Sequence, residues 1–207
     1  RRFNGVPKVL SEADVATFRE KLCDIAEEQF GAHGPDGVTM RQLAEAMGVS
    51  SMTPYRYFKD KDAILAAVRT RAFNDFAAAM EKAQVSLTKK GGGQPGGVYV
   101  DFAMKNRAAY RMMFDTSQPT AADYPDLVKA MERAKKTMTA GWKELVAVGR
   151  FRGDVELAGH LHWSAMHGAV MLELAGLLKK PLGAKSIALT AIRALAKDMG
   201  VVFPEKT

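Results

Sequence analysis

Residues 51–61 read Ser-Met-Thr-Pro-Tyr-Arg-Tyr-Phe-Lys-Asp-Lys, a run that gathers hydroxyls, two phenols and several cations into a very short stretch. Without a partner base or metal, such groups do no covalent chemistry. They are, however, the side chains that donate to phosphate oxygens and reach base edges in the groove of a duplex. Pro54 and Phe58 lie four apart and can turn inward together, which leaves Ser51, Met52, Thr53, Tyr55, Arg56 and Tyr57 outward or at the seam. Arg56 suits guanine and phosphate equally well. Lys61 opens the following helix, where its charge adds to the positive end of the helix dipole. A unit used only for packing has no reason to display Tyr55, Arg56 and Tyr57.

Two short helices meeting at a tight turn are expected to hold this run. Thr39 with Gln42 forms a capping box, and Val38 with Leu43 occupies the two positions of a hydrophobic staple. Arg41 then stands near the N-terminus of that helix. Ala44 is small enough for a close helix crossing, Gly48 suits a positive φ at the turn, and Leu43, Met47 and Val49 are expected in the shared core. Ser50 or Ser51 caps a second short helix running to Tyr57 or Phe58, and Asp60 caps the next. A longer helix precedes the pair. It is expected from Ser11, which with Asp14 makes another capping box, to about Phe30, before a stretch rich in glycine with Pro35.

From Lys61, the positions Ile64, Leu65, Val68, Phe73, Phe76 and Met80 predict an amphipathic helix into the mid-80s, able to join two domains rigidly. Lys89 to Gly97 is glycine-rich and reads as a loop. Beyond it, helices are expected near 98–106, 107–115, 124–149, 154–178 and 185–200, with no segment of strand period and no internal repeat.

Composition excludes several classes. The chain of 207 residues has no apolar run near the ~20 residues that span a bilayer, and its opening residues lack the apolar region of a signal peptide. With Cys23 as its one cysteine it forms no internal disulfide, so a reducing cytoplasm is the expected compartment. Net charge is +7, yet residues 1–61 carry nine basic and nine acidic side chains, so the total charge does not locate a polyanion site. Local distribution does better: between Thr39 and Lys61, Arg41, Arg56, Lys59 and Lys61 face Glu45 and Asp60. No G-x-S-x-G, P-loop, H-E-x-x-H or Cys/His nucleophile pair occurs, so an enzyme is not expected, and neither is a cofactor. His160, His162 and His167 lack the spacing and nearby acid of a zinc site, so no metal is expected.

The run from Thr39 to Leu65, T-M-R-Q-L-A-E-A-M-G-V-S followed by Y-R-Y-F-K-D-K-D-A-I-L, with the helix before it, resembles the N-terminal domain of the TetR family over about residues 11–66. The resemblance implies an all-α, TetR-like fold with an N-terminal three-helix, helix-turn-helix DNA-binding domain (1–61) and a C-terminal helical domain for effector binding and dimerisation (62–207). By position it implies DNA contacts from Arg41, from Ser51, Met52 and Thr53 at the base-reading end, from Tyr55 and Tyr57 as backbone clamps, and from Lys61; Arg56 joins this set as a base or phosphate contact. Arg1, Arg2 and Lys8 resemble a basic arm for the minor groove, or else form a solvated tail.

Further on, Trp163, His167, Val170, Leu174 and Leu177 form one stripe of 161–178, and Trp163 to Gly168 resembles the W-x-x-x-H-G motif of one subset of TetR C-terminal domains; residues 102–114 resemble the segment upstream of it. This implies a homodimer through the helices near 154–178 and 185–200, a palindromic double-stranded operator, and repression lifted by a small apolar or amphipathic effector. Phe102, Tyr110, Met113, Phe114, Trp142, Trp163, Met166 and His167 are the candidate effector contacts as a set, each by itself more often core than pocket. A helical protein-interaction adaptor without DNA binding is the alternative.

Overall fold

A computed structural model of the chain describes residues 11–87, 95–115 and 121–202. The expected basic arm at Arg1, Arg2 and Lys8, most of the glycine-rich loop and Pro119 lie outside these residues. Within them the regular structure is helical: α1 (Glu12–His33), α2 (Met40–Ala46), α3 (Lys61–Leu87), α4 (Pro95–Lys105), α5 (Arg107–Phe114), α6 (Pro125–Ala147), α7 (Val155–Leu174) and α8 (Ala184–Asp198), with three short 3-10 turns.

The helix starts follow the local chemistry. Ser11 and Asp14 satisfy each other's backbone N–H, as do Thr39 and Gln42, so both capping boxes form as expected. Asp60 Oδ1 accepts the Ala63 N–H at 2.8 Å, and Asp154 accepts from Glu156 and Leu157 at the head of α7. Three ends depart from expectation. α1 runs through Gly31 to His33, because the absent side chain at Gly31 admits α5: a Cβ there would lie 2.6 Å from the Ala108 Cβ. α4 begins at Pro95 rather than near 98. α7 stops at Leu174, where Gly176 takes φ +71°, so Leu177 lies beyond the helix and is exposed rather than on its stripe.

Two cores share α3. Its first turns place Ile64, Leu65 and Val68 against Leu22, Ala26 and Phe30 of α1 and Leu43 of α2. Further along, Phe73, Phe76 and Met80 join Tyr99, Tyr110, Leu127 and Val170 in the larger C-terminal core. Polar clamps fix the helix on both sides. Arg71 pairs with Asp24 and Glu27 of α1, and Arg133 of α6 grips both Glu81 carboxylate oxygens (2.9 and 2.6 Å) and Asn74. α5 spans the same junction, for Met112 belongs to the N-terminal core whereas Met113 belongs to the other.

Candidate nucleic-acid interface and effector cavity

The run expected as a recognition helix is shorter and tighter than a two-turn α-helix. Pro54 has no N–H to offer the Ser50 carbonyl, which instead accepts from Thr53 at 2.8 Å. The three-residue spacing then propagates, Arg56 N–H donating to Thr53 and Tyr57 N–H to Pro54, and Pro54–Arg56 is a 3-10 turn. Gly48 adopts φ +67° before it, the left-handed conformation expected of that turn. Ala44, Pro54 and Phe58 are buried, as the inward assignment requires.

Ser51, Met52, Tyr55 and Arg56 all face solvent, Met52 at 67% and Tyr55 at 48% exposure, which is high for large side chains that contribute nothing to the fold there. Thr53 is half-buried, and Arg41 is exposed on the first turn of α2. Two other expected contacts sit differently. The Tyr57 ring stacks on Phe18 of α1 at 3.9 Å between centroids, and the Lys61 ammonium donates to the Pro35 carbonyl at 2.7 Å, tying α3 to the turn after α1. The lysine keeps two N–H donors beyond that bond. Arg19, which sequence reasoning missed, holds the run from behind: its guanidinium lies 4.0 Å over the Phe58 ring and donates to the Tyr57 carbonyl. No spacing in α1 marks Arg19 out, because its partners are 38 and 39 positions away.

The C-terminal domain holds a cavity of about 1380 Å³, partly open to solvent and lined from α3 to α8. Of the expected contacts, Met113, Phe114, Trp142, Trp163 and Met166 line it, whereas Phe102, Tyr110 and His167 stand behind the lining. Tyr110, which is buried, and His167, which is half-buried, are coupled to the wall. Tyr110 Oη lies 2.6 Å from Tyr99 Oη and 2.8 Å from His167 Nδ1, and Trp163 Nε1 donates to Tyr99 Oη at 3.1 Å. Trp163 and His167, one turn apart on α7, thus grip the two ends of a tyrosine pair. Tyr99, which faces the cavity, escapes sequence reasoning because it adjoins the glycine-rich segment. Burial pushes the Tyr99 phenol up to about 12, raises that of Tyr110 further, and lowers His162 and His167 below their ordinary 6.5. Among the described residues no group of three or more His, Cys, Asp or Glu side chains could hold a metal ion, and no helix is long and apolar enough to cross a membrane.

With this geometry in hand, comparison with known proteins is decisive. Residues 22–68 match the family model described as bacterial regulatory proteins, tetR family, and residues 95–195 match the tetracyclin repressor-like C-terminal domain. The chain belongs to the TetR family. Its likeness to a named regulator is local: it is 38% identical over 63 residues to the HTH-type transcriptional repressor Rv1474c of Mycobacterium tuberculosis, a match covering 30% of this chain and 33% of that protein. The chain therefore spans about a third of that relative's length. The fold likeness is global. A protein of unknown function from Rhodococcus sp. RHA1 superposes with a TM-score of 0.76 at 23% identity, covering 95% of this chain and 100% of its own. The TetR family transcriptional regulator PfmR of Thermus thermophilus gives 0.63 at 20% identity, over 86% and 97%.

Proposed function

We propose that this TetR-family chain is a transcriptional repressor that binds a palindromic operator as a homodimer and leaves it when a small apolar or amphipathic molecule fills the C-terminal cavity. The observation that carries the reading is the exposed set Ser51, Met52, Tyr55 and Arg56 on a run fixed from behind by Phe18 and Arg19. Side chains held on a rigid backing, with their functional groups outward, suit a partner surface outside the protein. Arg41 and Lys61 flank the run and supply phosphate contacts, with Thr53 and Tyr57 at its edge.

The outer face of α7 supports dimerisation. Leu157, Leu161, Ala165, Gly168, Met171 and Leu172 recur at helical spacing along its outer face; Leu157, Met171 and Leu172 are exposed, and a Cβ on Gly168 would meet only open space. Together with α8, this face suits a twofold contact in which the same patch meets itself. Two reading runs about 34 Å apart would then meet successive major grooves.

The division at residue 61 is part of the same reading, with α3 serving both sides. α3 begins at the Lys61 contact and carries Phe73, Phe76 and Met80 into the cavity wall. α5 adds a second link, pressing Ala108 on Gly31 while Met113 and Phe114 line the cavity. An effector that favours a different spacing of these helices shifts the population away from the DNA-competent dimer. The test is an electrophoretic shift assay on a selected operator. Tyr55→Ala and Arg56→Ala dimers are expected to lose binding at physiological salt while keeping wild-type helicity; wild-type affinity in both would overturn the DNA face.

A further inference from the structure

Resting on the reading of this cavity as an effector site, we infer that its ligand is an elongated amphipathic anion, a hydrocarbon body with one negatively charged head lodged at the end of the cavity near Arg193 and Lys197. Three observations converge on that chemistry.

The first is shape. One face of α6 lines the cavity continuously from Val128 to Val148, and at 1.5 Å of rise per residue that face is about 30 Å long. A compact molecule would leave most of such a trough empty.

The second is the interior. Its wall is built from Phe73, Phe76, Met80, Met113, Phe114 and Met166, and several of the few polar groups in the inner lining already have protein partners. Tyr99 Oη is held by Tyr110 and Trp163, Gln84 Nε2 donates to the Thr137 carbonyl at 2.7 Å, and His162 Nε2 faces the Ile192 carbonyl at 3.3 Å. A polar body there would lose its hydration and gain few partners, whereas hydrocarbon loses nothing.

The third is the distribution of charge. Toward the start of α6 the lining carries Glu132 and Lys135, which cancel. Toward its end, and on α8, the lining carries Arg150, Arg193 and Lys197 against Glu144. Arg193 and Lys197 are exposed, lie four apart on one face of α8, and form no ion pair among the described residues. Arg150 is held in place by the Nε bond to the Val202 carbonyl at 2.7 Å, which leaves its other guanidinium N–H donors for a head group. The anion therefore sits where water and cations are, and the tail runs inward toward Phe114.

The chain's two tryptophans, Trp142 and Trp163, both line the cavity, so their fluorescence reports binding directly. The full-length protein is titrated, below micellar concentrations, with hexadecanoate, monohexadecyl phosphate, hexadecanol and hexadecyltrimethylammonium, which share a tail and differ in the head. The anions are expected to bind about tenfold more tightly than the alcohol, the scale of one or two charge-assisted hydrogen bonds, and the ammonium most weakly. Hexadecanoate against monohexadecyl phosphate distinguishes a free acid from a phosphate-bearing lipid. Arg193→Ala with Lys197→Ala, both on the surface, is expected to weaken the anions about tenfold and to leave the alcohol unchanged. Equal binding of all four probes, or preference for the ammonium, overturns the anionic head while the cavity reading stands. Failure of every probe to bind overturns both. Head-selective binding that leaves the operator complex intact supports this inference and overturns release by effector.

Discussion

The two halves of the molecule use side chains in opposite senses. In the N-terminal unit the proposed base-reading side chains Ser51, Met52, Tyr55 and Arg56 point out, and the interior behind them is closed, with Leu22, Leu43 and Ile64 fully buried. In the C-terminal domain the proposed effector surface lies inward, a cavity wall of aromatic and methionine side chains with a hydrogen-bonded tyrosine pair at it. A reading head must hold its shape against a rigid duplex, and close packing supplies that rigidity. An effector site must admit a guest, and flexible, polarisable methionines line a space that can adjust to one.

That contrast is open to measurement. The largest difference is expected from matched truncations followed by urea unfolding. Leu43→Ala opens a cavity in a closed core and is expected to cost about 3 to 4 kcal/mol, whereas Met166→Ala enlarges a space that already exists and is expected to cost about 1 kcal/mol. Similar costs at the two sites would erase the distinction.

The junction gives the next effect. Gly31→Ala improves helix propensity but drives a Cβ to 2.6 Å from that of Ala108, so a net loss of about 2 kcal/mol is expected. Ala108→Gly in the same chain is expected to restore most of it in a thermal unfolding experiment; no restoration would mean that the contact does not set the spacing of α1 and α5.

The smallest effect is a pH dependence confined to the C-terminal half. Burial holds His162 and His167 below 6.5 in the folded protein, so as pH falls the unfolded chain takes up protons first. Stability is therefore expected to be fully present above about 6.5 and to decline as pH drops from there through the lowered folded values. Replacing both residues by glutamine is expected to flatten that limb of the melting temperature against pH curve; an unchanged slope would place its origin elsewhere.

The same contrast explains what the sequence made legible. In the N-terminal unit most positions that shape the reading run have a local signature: a Thr39 and Gln42 box, a Gly48 turn, an inward Pro54 and Phe58, an Asp60 cap. Local rules fail where a distant partner decides the outcome. α1 passes Gly31 because Ala108 packs there, and Arg19 and Phe18 act on residues nearly forty positions away. The inward position of Pro54 is legible, yet the shift of the Ser50 carbonyl to Thr53, which makes the run a 3-10 turn, depends on a competition between adjacent bonds that residue type alone does not resolve. In the C-terminal domain, helix periodicity places the elements. Whether an aromatic faces a cavity or stands one layer behind it depends on how six helices meet, so Phe114 and Tyr110 are indistinguishable in the sequence and Tyr99 carries no signal there.

The proposed homodimer must present its two exposed reading runs at the spacing of one turn of DNA. Met52, at 67% exposure, is the natural reporter: Met52→Cys in a Cys23→Ser background, spin-labelled, gives the separation of the two runs by electron double resonance. On the selected operator a single narrow distance of about 35 Å is expected, broadening or shifting when the duplex is removed. The absence of an intersubunit distance, or one that is unchanged by operator and incompatible with adjacent major grooves, would contradict the account.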